Sequence, residues 1–183
     1  MTKRCAWVNM KNPLYIRYHD AEWGVPLHDD RALFELLILE GFQAGLSWEC
    51  VLNKRDAFRR AFDGFDPEKI SRYDEGKRAS LLADPGIIRN RLKIQAAVTN
   101  SRVFLGIRRE FGSFDAYIWH FTAGQVICEP YDMRTTSPLS DQISKDLKKR
   151  GMKFVGSTII YSYLQAIGVL NAHGRECGCY KVG

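Results

Sequence analysis

At 183 residues and 45% hydrophobic content, the chain can bury one substantial core and is too short to promise two. Lysine and arginine outnumber aspartate and glutamate by 27 to 21, and the formal charge of +6 suits a polyanionic partner. The opening MTKRCAWVNMKNPLYIRYHD has no apolar run, and ALFELLILEGF is broken by glutamates and far below spanning length, so the reading excludes a membrane protein and expects a cytoplasmic one.

In chain order, Asp30 opens RALFELLILEG, where leucines and a phenylalanine recur at helical spacing and Gly41 is the expected stop. A second helix starts near Ser47 and carries Val51, Leu52, Phe58 and Phe62 on one face. Asp66-Pro67 repeats the start signal, because aspartate caps exposed amides while proline sits where its missing N–H is not needed. After the Asp84-Pro85-Gly86 turn, Ile94, Ala97, Val98 and Leu105 mark an amphipathic helix. Ser113 caps a short helix through FDAYIWHF, and a polar loop over 122–138 leads to a helix from about Leu139 to Arg150. No alternating pattern persists, so the expected fold class is all-α, one compact helical domain over 1–183.

The segment SDQISKDLKKRGMKFVGSTIIYSYLQAIG predicts a helical hairpin at about 139–168. A basic helix ends at Gly151, a turn runs through Phe154, Val155 and Gly156, and an apolar helix follows. Gly156 lets the backbone approach a ligand, and the free N–H groups at Ser157 and Thr158 form the positive end of the helix dipole, which suits a DNA phosphate. Lys148, Lys149, Arg150 and Lys153 crowd the same end and would make binding salt-dependent. An ordinary hairpin with a solvated lysine face fits the same pattern.

Five cysteines in a reducing compartment point to metal binding or burial rather than to a disulfide scaffold. Cys5 and His19 lie near the start, and His173 and Cys177 form an H-x₃-C pair near the end, which one helical turn would put on one face. Two thiolates and two imidazoles can satisfy tetrahedral zinc, and with all four positions filled by protein the ion would be structural. The spacing is not that of a local zinc finger, burial alone explains such residues as well, and Cys179 is a spare ligand.

LEGFQAGLSW sets Glu40 at the end of an apolar helix and Trp48 after a glycine turn. Trp7, Tyr15, Tyr18 and Trp23 crowd an irregular stretch upstream. Aromatic side chains usually fill cores and a helical glutamate usually faces water, but an acid among electron-rich rings suits a planar, positively charged base.

Together these segments resemble the 3-methyladenine DNA glycosylase I family of the helix-hairpin-helix DNA glycosylase superfamily. The likeness runs end to end and is most specific in RCAWV, PLYIRYHDAEWGVP, LEGFQAGLSW, GIIRNRLKIQA, KKRGMKFVGSTI and NAHGRECGCY. It implies a monofunctional enzyme that acts on double-stranded DNA containing alkylated bases, turns the damaged nucleotide out and hydrolyses its N-glycosidic bond, releasing free 3-methyladenine and leaving an abasic site. It also implies one structural Zn²⁺ on Cys5, His19, His173 and Cys177, and a base pocket of Glu40, Tyr18 and Trp48 with Tyr15, Trp7 and Trp23 around them. Leu46, between Gly45 and Ser47, either fills the gap left by the base or packs beneath Trp48. Bifunctional relatives carry a nucleophilic lysine where this chain has Ser157, Thr158 and Ile159, which leaves water as the nucleophile. The aspartate that many superfamily members use is missing from YSYLQAIGVLNAHG, and Glu176, the nearest carboxylate, sits beside Cys177, so no residue is assigned to orient the water. A single DNA-facing surface needs only a monomer. The rival reading, a zinc-stabilised damage sensor without catalysis, would need the hairpin and basic face but no cation-selective pocket.

Overall fold

The structure, a computed structural model, describes residues 3–129 and 133–180. Start signals set the helix boundaries: Ser47 accepts from the Cys50 amide, Asp66 from those of Glu68 and Lys69, and Ser113 from that of Ala116. Ten helices follow in order among the described residues: α1 (Pro13–Ala21), α2 (Asp30–Gln43), α3 (Trp48–Leu52), α4 (Arg55–Ala61), α5 (Pro67–Ile70), α6 (Glu75–Ala83), α7 (Arg91–Phe111), α8 (Phe114–His120), α9 (Pro138–Lys149) and α10 (Ser157–Ala166). The helical fold class holds, with one addition. Ile127–Cys128 (β1) and Leu170–Asn171 (β2) pair in parallel, a contact too short to leave an alternating pattern.

Several boundaries depart from expectation. Asp29 rather than Asp30 caps α2, and Asp30 instead accepts from the first amides of α8, those of Phe114 and Asp115. Gly41 does not stop α2, which runs on to Gln43. A Cβ at Gly41 would stand 3.6 Å from that of Phe154, so the small residue serves helix packing, and Gly45 makes the reversal at φ +78°. The single helix expected from Ser47 breaks at Asn53–Lys54 into α3 and α4. The stretch read as irregular holds α1, started by Asn12 and Pro13, and α6 begins at the Asp74 cap. His173–Cys177 is a turn rather than a helix. The 122–138 loop is only partly within the described residues.

α2 is the central element, packed by α3, α7, α8 and α10. Leu33, Phe34, Leu37, Ile38 and Leu39 are buried on all sides, each worth roughly 1.5–3 kcal/mol of transfer free energy. Two polar ties fix its flanks. Arg55 joins Glu22 after α1 (2.6 Å) to Glu35 on α2 (2.5 Å), and Lys93 of α7 donates to the carbonyls of Phe42 (2.8 Å) and Ala44 (2.6 Å). The segment after α1 docks on the end of α10 through Gly24 N–H to the Gln165 carbonyl (2.9 Å) and Leu27 N–H to that of Ile167 (3.0 Å). Gly168 permits that docking, since a Cβ there would fall 2.2 Å from Val25 backbone. No helix among the described residues is long and apolar enough to cross a membrane.

Candidate functional site

A cavity of about 280 Å³ opens where α1, α2, α3 and α10 meet, and all six expected base-binding residues line it: Glu40, Tyr18, Trp48, Tyr15, Trp7 and Trp23. Glu40 is 2% exposed because α2 is packed on every side, and burial pushes its carboxyl up to about 8. Its Oε2 has no hydrogen-bond partner. Neither has the indole N–H of Trp48 nor the side-chain nitrogen of Gln165. Among the described residues, four buried side-chain atoms lack hydrogen-bond partners, and three of them surround this one cavity. Each such orphan costs on the order of 1–3 kcal/mol, which a ligand with complementary groups would relieve. The rings of Tyr18 and Trp48 lie 5.3 Å apart, and buried Tyr18 has its phenol raised well above its ordinary range, so it stays a hydroxyl donor.

The same aromatic wall leans on a candidate metal centre. Cys5, His19, His173 and Cys177 are all buried, and their ligand atoms lie within 4.8 Å of one another. Cys177 Sγ is 3.4 Å from both His19 Nε2 and His173 Nδ1, and Cys5 Sγ is 3.7 Å from His173 Nδ1. A tetrahedral zinc with ordinary bond lengths demands S···N edges of about 3.6 Å, so the group fits such an ion. The far nitrogens are engaged in the way bound imidazoles require: His19 Nδ1 meets Asp20 at 2.8 Å, and His173 Nε2 meets the Trp23 carbonyl at 3.0 Å. Arg4 in turn grips Asp20 through both carboxylate oxygens. Burial raises the Cys5 thiol to about 11, against the Gly174 amide that donates to its sulfur, and a bound cation would favour the thiolate further. Cys179 is outside this group; its amide donates to Cys177 Sγ, and its thiol adjoins His19 and Asp20. Trp23 packs 4.7 Å from His173, Trp7 5.3 Å from His19, and the two indoles 4.8 Å from each other, so this Cys-His group backs the cavity wall.

The hairpin forms as expected, with different chemistry at its tip. Ser140 bonds Ser157 at 2.8 Å, Ser144 donates to the Val155 carbonyl at 2.6 Å, and Asn100 holds both backbone groups of Lys153 at 2.8 Å. Gly156 has an unstrained φ of −62°, and a Cβ there would meet nothing, so its value is open space. The left-handed conformations fall to Gly151 and Phe154 instead. The Val155 side chain is buried, leaving only its backbone for any ligand; Lys153 and Thr158 are exposed, Ser157 half-buried, and α10 begins without a side-chain cap. Arg150 is withdrawn from the expected basic end, paired with Asp146 and Glu110. Leu46 is 43% exposed in the turn after α2, beside Gly45, and is not among the residues of the buried core. Glu176 is exposed and paired with Lys3, away from the cavity.

Sequence reasoning missed several lining residues and named Thr158 only as a phosphate contact. Thr158, Tyr161, Ser162 and Gln165 present one face of α10 to the cavity at spacing i, i+3, i+4 and i+7, a polar stripe that was visible as helical periodicity on an otherwise apolar helix. Gln43, Arg134 and Thr135 complete the lining.

The chain matches the methyladenine glycosylase family over residues 7–181. DNA-3-methyladenine glycosylase 1 of Escherichia coli is 46% identical over 182 residues, 97% of either chain. A crystal structure of 3-methyladenine DNA glycosylase I superposes with a TM-score of 0.94 at 47% identity, covering 98% of this chain and all of that one. A variant of 3-methyladenine DNA glycosylase I in complex with 3-methyladenine gives 0.93 at 36% identity, covering 98% of each chain.

Proposed function

This chain belongs to the methyladenine glycosylase family, and from that premise we propose that it excises 3-methyladenine from alkylated DNA as a monofunctional N-glycosylase, a single domain over 1–183 acting as a monomer. The carrying observation is the unpartnered Glu40 carboxyl in a ring-lined cavity. A base in the duplex is out of reach of such a cavity, so the nucleotide must be turned out to enter it. Methylation at N3 gives adenine a positive charge. The pocket answers with Glu40, whose carboxyl gives up its proton beside the incoming cation, the faces of Trp48 and Tyr18 against the ring, and Tyr15, Trp7 and Trp23 as the outer wall. Unmodified adenine carries no charge to match and would leave the buried carboxyl poorly paired.

The charged base departs as a neutral molecule, so little acid catalysis is required of the protein. Ser157, Thr158 and Ile159 offer no amine for a Schiff base, and water takes the sugar carbon, leaving an abasic site in an unbroken strand. Leu46 on its Gly45 turn fills the vacated stack. Lys153, the backbone of Val155 and Gly156, and the first turn of α10 at Ser157 and Thr158 hold a phosphate. Cys5, His19, His173 and Cys177 bind one Zn²⁺, which with four protein ligands contributes folding energy and no chemistry. DNA as substrate assigns the work to the cytoplasm.

Methylated duplex DNA incubated with the protein is expected to release 3-methyladenine, detected by chromatography. The strand should stay intact until alkali is added, and borohydride should trap no adduct. Tight binding of methylated duplex with no base released would favour the damage sensor and overturn the enzyme.

A further inference from the structure

Gln165 is 8% exposed, and its side-chain nitrogen has no hydrogen-bond partner. An amide donor left unsatisfied inside a well-packed protein is costly, and nothing in the core explains it. Its backbone is anchored at the end of α10, where the carbonyl accepts from Gly24 at 2.9 Å and Gly168 at 3.2 Å, which fixes the point from which the side chain enters the cavity. Its side chain shares the cavity with Glu40 Oε2, an unpartnered acceptor, and the two do not reach each other. An acceptor and a separate donor, both waiting in one cavity, describe the complement of a ligand edge that carries a donor beside an acceptor.

Adenine has that edge twice. Its N6 amine donates, and ring nitrogens N7 and N1 accept on either side, whereas guanine sets an O6 acceptor where the amine would be. Methylation at N3 leaves both nitrogens free. We infer that Gln165 is a specificity-determining residue whose side-chain N–H donates to the ring nitrogen next to the N6 amine, while Glu40 receives the amine. The inference rests on the base-pocket reading above and adds to it a neutral donor that reads the ring independently of its charge. Trp48 Nε1 is a second unpartnered donor at the cavity and the Tyr18 hydroxyl a further donor in its lining, so the test must separate Gln165 from both.

The experiment is a titration of free 3-methyladenine and its 1-deaza and 7-deaza analogues into the full-length protein and into Gln165→Met. Loss of one hydrogen bond of about 1.4 kcal/mol corresponds to roughly tenfold weaker binding. Gln165→Met should lose that factor for 3-methyladenine and lose nothing further for one of the two deaza analogues, which already lacks the acceptor. In the unsubstituted protein, the Gln165 side-chain amide signal, followed by ¹⁵N NMR, should move downfield with 3-methyladenine and stay in place with that analogue, a readout that does not depend on the variant folding. Unchanged affinity in Gln165→Met, equal losses against all three ligands, or an amide signal indifferent to the analogue overturns the inference. Failure of the unsubstituted protein to bind or release 3-methyladenine would instead sink the base-pocket reading itself.

Discussion

The Lys93 ammonium lies 2.6 Å from the carbonyl oxygen of Ala44, so a buried cation on α7 closes the C-terminal end of α2 and fixes the turn that carries Leu46. A cation is well placed there, facing the negative end of the helix dipole and taking carbonyls that the helix leaves unpaired. Lys93→Met keeps the stem and removes both bonds, at an expected cost of about 1–3 kcal/mol in thermal or denaturant unfolding. Release of 3-methyladenine from methylated duplex should fall by a larger factor than affinity for the free base, because the damage is to the turn and not to the cavity. Equal losses in the two assays would detach Lys93 from the Leu46 turn.

Leu46→Ala is expected to leave stability and free-base binding within error and to lower activity on duplex DNA at least tenfold. The side chain is 43% exposed, so little is lost on truncation in the free protein. Activity on single-stranded DNA, where no stack must be replaced, should change far less. A variant as active as the parent on duplex removes the wedge role.

Glu40 gives a pH signature. Its folded-state value of about 8 lies above the ordinary 4.5, so the native state binds the extra proton. The contribution to stability is therefore fully present below about 4.5 and is lost as pH rises through 8. Glu40→Gln should flatten this: its melting temperature relative to the parent should rise between pH 5 and pH 8. The same substitution should weaken binding of 3-methyladenine in calorimetry. Parallel stability profiles, or unchanged affinity, would take Glu40 out of the pocket.

Metal analysis of the purified protein should find one zinc per chain, and strong chelation should lower the melting temperature. Cys177→Ser, which removes one of two thiolates, should reduce the zinc content and the base affinity together, since Trp7 and Trp23 stand against the ligand imidazoles. Full base affinity in a metal-free protein would separate the wall from the centre behind it.

What was legible in the sequence was mostly local. Ser47, Asp66 and Ser113 announced helix starts because capping is a bond between a side chain and amides two or three residues away. Gly41 misled for the opposite reason: its role is set by Phe154, more than a hundred residues distant, and no window around position 41 contains that contact. The six aromatic and acidic pocket residues stood out by type, since rings and a carboxylate are conspicuous in a short stretch. Gln165 and Lys93 did not, because an amide on an apolar helix and a lysine in a basic segment look ordinary until the partner carbonyls, or the lack of any partner, are seen in space. The α1 helix was obscured by its own pocket residues, whose density read as irregularity although Asn12-Pro13 carried a start signal.

The polar stripe along α10 has a metric consequence. One rigid rod begins at Ser157, where the DNA backbone is proposed to dock, and reaches Gln165 beside the lesion, a rise of roughly 12 Å at about 1.5 Å per residue. The interval between a gripped phosphodiester and the inspected heterocycle is thereby gauged by a helix that cannot stretch. On the proposed docking, a nucleotide has to leave the stack to bridge that interval, so discrimination would begin with reach, before any chemical group on the base is read.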